Sequence, residues 1–242
     1  MRAKGAARQA SPRVLLAAAG AVAVVVVAVV LAVVLTRGGS SSSASATKLS
    51  GAVDVTKLLN GIPQHGNVLG GPSAPVTIVE YVDLQCPFCQ EFETTALPTI
   101  VRRYVRTGKL KIVARPIAFI GSDSVRGRDA TLAAGRQNKL FDFAQLLYLN
   151  QGAENSGWLS DNVVKSAAAS IPGLSVSKLL ADRGSSAVSD DGHAIDADAS
   201  ADGVHATPTI LVGRSGSTPK EVALASPSDA QSVERAIDAA LG

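Results

Sequence analysis

Little in this 242-residue chain is suited to holding a metal or a framework of disulfides. It has two cysteines, one methionine (Met1), three histidines and one tryptophan. His65, His193 and His205 lie far apart with no paired spacing, and a zinc site takes about four ligands. A zinc site is therefore not expected, nor is a copper-handling site, since no histidine or methionine stands near the cysteines. No internal repeat is visible. The net charge of +3 comes from 23 basic and 20 acidic residues. Setting aside Arg2, Lys4, Arg8 and Arg13 at the extreme N-terminus leaves 19 basic against 20 acidic. The remainder is near neutral and lacks the basic patch that nucleic acid binding requires.

What is present is concentrated in one place. Residues 76–92 form a β-branched apolar run that leads into Cys86-Pro87-Phe88-Cys89 and then into helical pattern. The composition of Val76–Val82 predicts a buried strand. Pro87 suits the first turn of a helix, where its missing N–H would be unpaired anyway. Cys86 is therefore expected at the helix cap and exposed, with Cys89 one turn in and shielded. A helix N-terminus favours the thiolate of the first cysteine, which is the chemistry of thiol–disulfide exchange. A passive staple is the bland alternative, but a loop this short constrains the unfolded chain little.

The first 70 residues speak to location. Residues 14–35 are an uncharged run of about 22 residues, and a helix of that length spans roughly 33 Å. Basic residues precede it with no acidic residue among them. The positive-inside rule then keeps residues 1–13 cytoplasmic, makes 14–35 a single-pass transmembrane signal-anchor, and places the rest outside the cell membrane. A cleaved signal peptide is the rival, because Ala44-Ser45-Ala46 has the small-x-small pattern of a processing site. The Gly- and Ser-rich stretch that follows the anchor reads as a tether, and Lys48 to Gly71 as a partly ordered lead-in, so 36–67 is assigned to tether and lead-in and 68–242 to the folded domain. His65 is read as solvated.

Within that domain the pattern predicts a helix over Gln90–Arg106, kinked at Pro98 and stopped at Gly108, and a second strand over Leu110–Arg115. Helical patterning follows over Val125–Asn138, Leu140–Asn150, Asp161–Ser170 and Ser175–Asp182, giving an all-helical insertion over about 122–191. A strand over 206–213, a short strand near Val222–Leu224 and an amphipathic helix over Ser228–Leu241 complete the chain. Arg126 and Arg128 read as a solvated face, Asp83 as a loop residue, and Phe141, Phe143, Tyr148 and Trp158 as core, with a peptide groove as their alternative.

In this order the elements resemble the DsbA-like branch of the thioredoxin superfamily. The resemblance rests on Glu80 six residues before Cys86, the Cys-Pro-Phe-Cys motif, the stretch 141–151 with Trp158 behind it, and Gly203-Val204-His205-Ala206-Thr207-Pro208-Thr209. It implies an α/β thioredoxin-like fold with a helical insertion, here preceded by one N-terminal transmembrane helix. It further implies that Pro208 is a cis-proline lying against the dithiol, that Thr207 offers its main chain to substrate, and that Glu80 shuttles a proton to or from Cys89. Phe88 departs from the histidine of the enteric members, so a less stabilised thiolate and an intermediate potential are expected.

The function so implied is that of an extracytoplasmic oxidase that donates the Cys86–Cys89 disulfide to cysteine-containing exported proteins through a mixed disulfide. A quinone-linked membrane partner would re-oxidise it. No cofactor beyond the dithiol, no metal and no nucleic acid is expected, and the chain reads as a monomer. A reductase or isomerase on the same scaffold, or a tethered binding or chaperone module without enzymatic activity, remains as the alternative.

Overall fold

The computed structural model describes residues 48–242. The apolar run at 14–35 and the tether after it lie outside the described residues. Among the described residues no helix is long and apolar enough to cross a membrane.

The lead-in from Lys48 is ordered. It forms α1 (Ala52–Leu59), which buries Val55 and Leu59, and a short hairpin of β1 (Gln64–His65) and β2 (Val68–Leu69). The hairpin joins the sheet through β2, which pairs antiparallel with the later strand β4 (Leu110–Pro116), so ordered structure begins well before residue 68. The expected central strand is found to the residue: β3 (Val76–Val82) lies between β4, which it pairs in parallel, and β5 (Thr209–Arg214), which it pairs antiparallel. A two-residue strand, β6 (Lys220–Glu221), closes the far edge, giving the order β1-β2-β4-β3-β5-β6. The short strand thus precedes the expected Val222–Leu224, and residues 206–208 stand outside β5 as a loop.

After β3 the chain enters α2 (residues 87–105). Pro98 does not end this helix. The turns at Phe92–Ala96 and Val101–Val105 are widened to π-helical register, with the N–H of Leu97 reaching Phe92 and that of Arg106 reaching Val101. A proline removes one i→i−4 bond and crowds the carbonyl it would have used, and here the wider turn just before Pro98 accommodates that loss.

The insertion comprises α3 (Ser122–Gly135), α4 (Leu140–Tyr148), α5 (Asp161–Ser170), α6 (Val176–Arg183) and α7 (Ser186–Ala201). All nine residues of α4 are buried, the mark of a helix enclosed on every side. Phe141, Phe143 and Tyr148 are consequently core residues, and Trp158 packs half-buried at its edge. Gly127 lets α3 press against the segment before the dithiol: a Cβ there would stand 2.8 Å from Leu159 Cδ1 and 3.0 Å from Leu84 Cβ.

Two expectations need correction. The insertion does not end at about 191, because α7 runs on to Ala201. The Ser185 hydroxyl caps it, and Val188 and Ile195 bury one side. Arg128 is not on a solvated face either: it is buried, pairs with Asp129 and Asp196, and lies against Gly192 of α7. Arg126 does reach solvent and pairs with Asp123. The last helix, α8 (Ala230–Leu241), is capped by Asp229 and packs Val233 and Ile237 inward.

Candidate active site

The strand β3 ends at Val82, and after three intervening residues Cys86 is the N-cap of α2 in extended conformation, with Pro87 as the first helical residue. The N–H of Gln90 bonds to the Cys86 carbonyl, closing the first turn. Cys89 is fully enclosed at 0% exposure. Cys86 is at the cap as expected but not exposed. It retains only 5% exposure, because the loop before β5 covers it and the Thr207 carbonyl accepts from its thiol at 3.4 Å. The Thr207–Pro208 peptide bond is cis, and the Thr209 hydroxyl donates to the Ala206 carbonyl at 2.8 Å, bracing the loop. Phe88, by contrast, is 58% exposed beside the thiol.

The two thiols sit in opposed environments. A hydrogen bond with the Cys89 thiol, helped by Thr207 and by the N–H groups of Cys89 and Phe88, outweighs burial and lowers Cys86 from 9.0 to about 6. Burial pushes Cys89 well above the ordinary thiol value, and the neighbouring Cys86 adds to it. The phenyl ring of Phe88 takes no part. The stabilising groups at Cys86 are the other thiol, the Thr207 side chain and the main chain, so the absence of an imidazole at position 88 does not abolish a thiolate there.

The helical insertion holds the dithiol loop. Tyr148 donates to the Asp83 carbonyl at 3.2 Å, and Gln151 donates to the carbonyls of Leu84 and Cys86 at 2.8 and 3.1 Å. The buried Gln85 donates to Ser124 Oγ at 2.9 Å and accepts from the Asn155 N–H at 2.6 Å. Asp83 is a loop residue as expected, but it is wholly buried and ties two segments together. Its carboxylate accepts from the N–H groups of Gln85, Phe119 and Ile120 at 2.8, 2.8 and 3.0 Å, and its own N–H points at Cys89 Sγ, 3.5 Å away. Five elements thereby fix one short loop.

Glu80 lies on β3, 2% exposed, and burial raises its carboxyl to about 8. A second carboxyl, which the sequence reading passed over, accompanies it. Glu93 is 3% exposed on α2 and is raised well above the usual carboxylate range, by burial first and then by the charge of Glu80. Gln145 donates to its Oε2 at 2.5 Å. Its spacing of four from Cys89 on a helix is the signal that was available, since residues at i and i+4 share a face. Among the described residues no three His, Cys, Asp or Glu side chains are grouped to hold a metal, and His65 and His205 are exposed.

Residues 64–239 match the thioredoxin family. The probable disulfide bond formation protein D of Bacillus cereus is 33% identical over 100 residues, 40% of this chain and 46% of that protein, so the chain spans about half the length of this curated relative. Two solved structures share the fold. Oxidised BdbD from Bacillus subtilis aligns with 75% of this chain and 99% of its own at TM-score 0.64 and 21% identity. The alpha-DsbA1 of Wolbachia pipientis aligns with 75% and 92% at TM-score 0.61 and 19% identity.

Proposed function

We propose that this chain, which belongs to the thioredoxin family, is a DsbA-like thiol:disulfide oxidoreductase that works as an oxidase on exported proteins. The observation that carries this reading is the asymmetry of the dithiol: a cap thiol held at about 6 beside a partner that burial holds protonated. A stabilised thiolate is a good leaving group and makes the reduced state favourable, which is what an oxidant needs.

In the proposed cycle a substrate thiolate attacks Cys86 Sγ of the disulfide. The S–S bond breaks, its electron pair passes to Cys89 Sγ, and Glu80 supplies the proton that makes Cys89 a thiol. The mixed disulfide between Cys86 and the substrate is then attacked at the substrate sulfur by a second substrate thiolate. Cys86 leaves as a thiolate and the substrate keeps the new disulfide. The Thr207 main chain, beside Cys86 and preceding Pro208, would pair with the extended substrate, and exposed Phe88 would border it. The dithiol is the only redox group this cycle needs from the protein. A quinone-linked membrane partner returning the pair to the disulfide completes the proposal.

The same reading places the catalytic domain outside the cell membrane, with residues 14–35 as its anchor and the N-terminus in the cytoplasm. The length and charge flanks of that run support it. The name of the Bacillus cereus relative supports oxidation over reduction. The redox state of Cys86 and Cys89 in intact cells, trapped by acid and alkylation, tests the direction: an oxidase is found mainly as disulfide, and a mainly reduced pool would favour a reductase.

A further inference from the structure

The loop that covers Cys86 runs from the end of α7 to the start of β5. Asp202 is the C-cap of α7, Gly203 follows at φ 70°, a left-handed value that suits glycine, and Thr209 is the first residue of β5. The N–H of Val204 bonds to the Ala199 carbonyl at 2.9 Å, so the near end of the loop moves with the last turn of α7. Cys86 meets the loop close to its far end, where the Thr207 carbonyl accepts from the thiol. With only 5% of its surface exposed, Cys86 offers an incoming sulfur little room until this loop shifts.

One residue holds both ends of the loop. Tyr81 stands opposite Thr209 in the antiparallel pairing of β3 with β5, and its hydroxyl donates to Asp202 Oδ2 at 2.7 Å. The tyrosine is fully buried, and phenylalanine would fill that space as well. A buried tyrosine hydroxyl usually has a partner, and Asp202 is the partner here. The next strand repeats the arrangement: Arg115 of β4 lies opposite Tyr81 and pairs with Asp198, four residues before Asp202. Residues at i and i+4 share a helix face, so two adjacent positions of the sheet grip one face of the last turn of α7. The Arg115 pair is open to solvent on its carboxylate side and such pairs contribute little. The Tyr81 bond starts from a side chain with no exposed surface.

We propose that Tyr81 is the positioning residue of this loop: its main chain fixes the β5 end, its hydroxyl fixes the α7 end through Asp202, and together they set how often Thr207 uncovers the Cys86 sulfur. The inference rests on Cys86 being the exchanging sulfur, as proposed above, and not on the direction of electron flow. The part Tyr81 plays is indirect, acting through Thr207. The chain reaches Cys86 only five residues after Tyr81, so a single residue relates the thiol to the carbonyl that covers it. With the hydroxyl bond lost, the loop keeps its hold at Thr209, while the turn at Gly203 becomes a hinge for the rest. Uncovering Cys86 then takes less free energy, and every reaction that passes through the open loop gains by the same factor.

The test is alkylation of the reduced full-length protein in detergent by iodoacetamide at pH 8, where a thiol held at about 6 is already thiolate and small changes in its ionisation alter the rate little. The Cys86 thiolate displaces iodide and keeps the acetamide as a thioether, which mass spectrometry of the digested protein assigns to its position. Tyr81→Phe, which retains the ring, should label Cys86 about fivefold faster than wild type, the factor that one net hydrogen bond corresponds to. Asp202→Ala should match it. Asp202→Asn, which keeps an oxygen for the hydroxyl, should stay near wild type, and the double variant of Tyr81→Phe with Asp202→Ala should be no faster than either single one. Cys89 should stay unlabelled in all of them. Labelling of Tyr81→Phe at the wild-type rate overturns the proposal, as does an Asp202→Asn protein as fast as Asp202→Ala. So does a parallel gain at Cys89, which marks general loosening of the fold, or additive gains in the double variant. If Tyr81→Phe does not fold, Asp202→Ala, at an exposed cap, carries the same test. Failure of the oxidoreductase reading would show elsewhere, as an absence of covalent adducts from Cys89→Ala in cells, with these labelling ratios unchanged.

Discussion

The depressed Cys86 thiol has a thermodynamic consequence that can be read directly from stability. Its ionisation moves from 9.0 in an ordinary thiol to about 6 in the folded, reduced protein. A folded value below the unfolded one adds stability that is largest above the unfolded value and is lost as pH falls through the folded one. The gain is near zero at pH 5, roughly 1–2 kcal/mol at pH 7 and about 3 kcal/mol at pH 8. These are upper limits, because relaxation and water entry around a buried charge weaken such effects. Cys89 contributes nothing over this range because both its folded and unfolded thiols stay protonated, and it works against the gain only above about pH 9. The oxidised protein has neither thiol to titrate. Closing the small ring gives that form an entropic advantage of about 2 kcal/mol, which does not depend on pH. The stability of the reduced form minus that of the oxidised form should therefore rise by about 1–3 kcal/mol between pH 5 and pH 8. The assay is urea unfolding of the full-length chain in detergent, in both redox states, at half-unit pH steps. Reduced Cys86→Ala, compared in the same way, should lose the slope. A difference that stays flat, or one that grows as pH falls, would refute the assignment of a low thiol to Cys86. Since about 1.4 kcal/mol corresponds to roughly 30 mV for a two-electron couple, the pH 7 figure describes an intermediate oxidant and not an extreme one.

The packing around the site makes further demands. Gln85→Leu removes the side chain that Ser124 and Asn155 hold and leaves their buried partners unpaired, so unfolding should show a loss of about 1–3 kcal/mol together with slower disulfide exchange. Gly127→Val drives a side chain into Leu159 and Leu84; overpacking of this kind costs about 1–3 kcal/mol, visible as a lower denaturation midpoint at unchanged m-value. On topology, protease added to intact spheroplasts should digest the domain, and recovery of a soluble mature form beginning near Thr47 would show instead that the apolar run is a cleaved signal.

How much of this was legible in the sequence depended on whether the deciding contacts were local. The strand Val76–Val82 and the helix Asp161–Ser170 match their expected spans to the residue, because β-branched composition and a Ser160 cap act within a few residues. The helix Ser186–Ala201 was only half visible, since its stability comes from Arg128 and the α3 surface about 60 residues away and not from its own acidic sequence. The lead-in hid a helix for a similar reason: α1 is held by burial of Val55 and Leu59 against the distant core. At the site, the dithiol, Glu80 and Pro208 stood out by type and order. The occlusion of Cys86 by the Thr207 carbonyl, the burial of Asp83 and the pairing of Glu93 with Glu80 are made by segments that meet only in the folded chain.

The central claim is that Cys86 forms the bond to substrate, while Cys89 is the leaving sulfur, the one that re-forms the disulfide when an adduct reverts. The most direct measurement is to express full-length Cys89→Ala in cells making cysteine-bearing exported proteins, quench with acid, and separate the products without reductant. Covalent high-mass adducts that dissolve on reduction, abundant in Cys89→Ala and scarce in Cys86→Ala, are the expected result. A Cys89→Ala protein that migrates as a single species with and without reductant would contradict the account and leave a tethered binding module in its place.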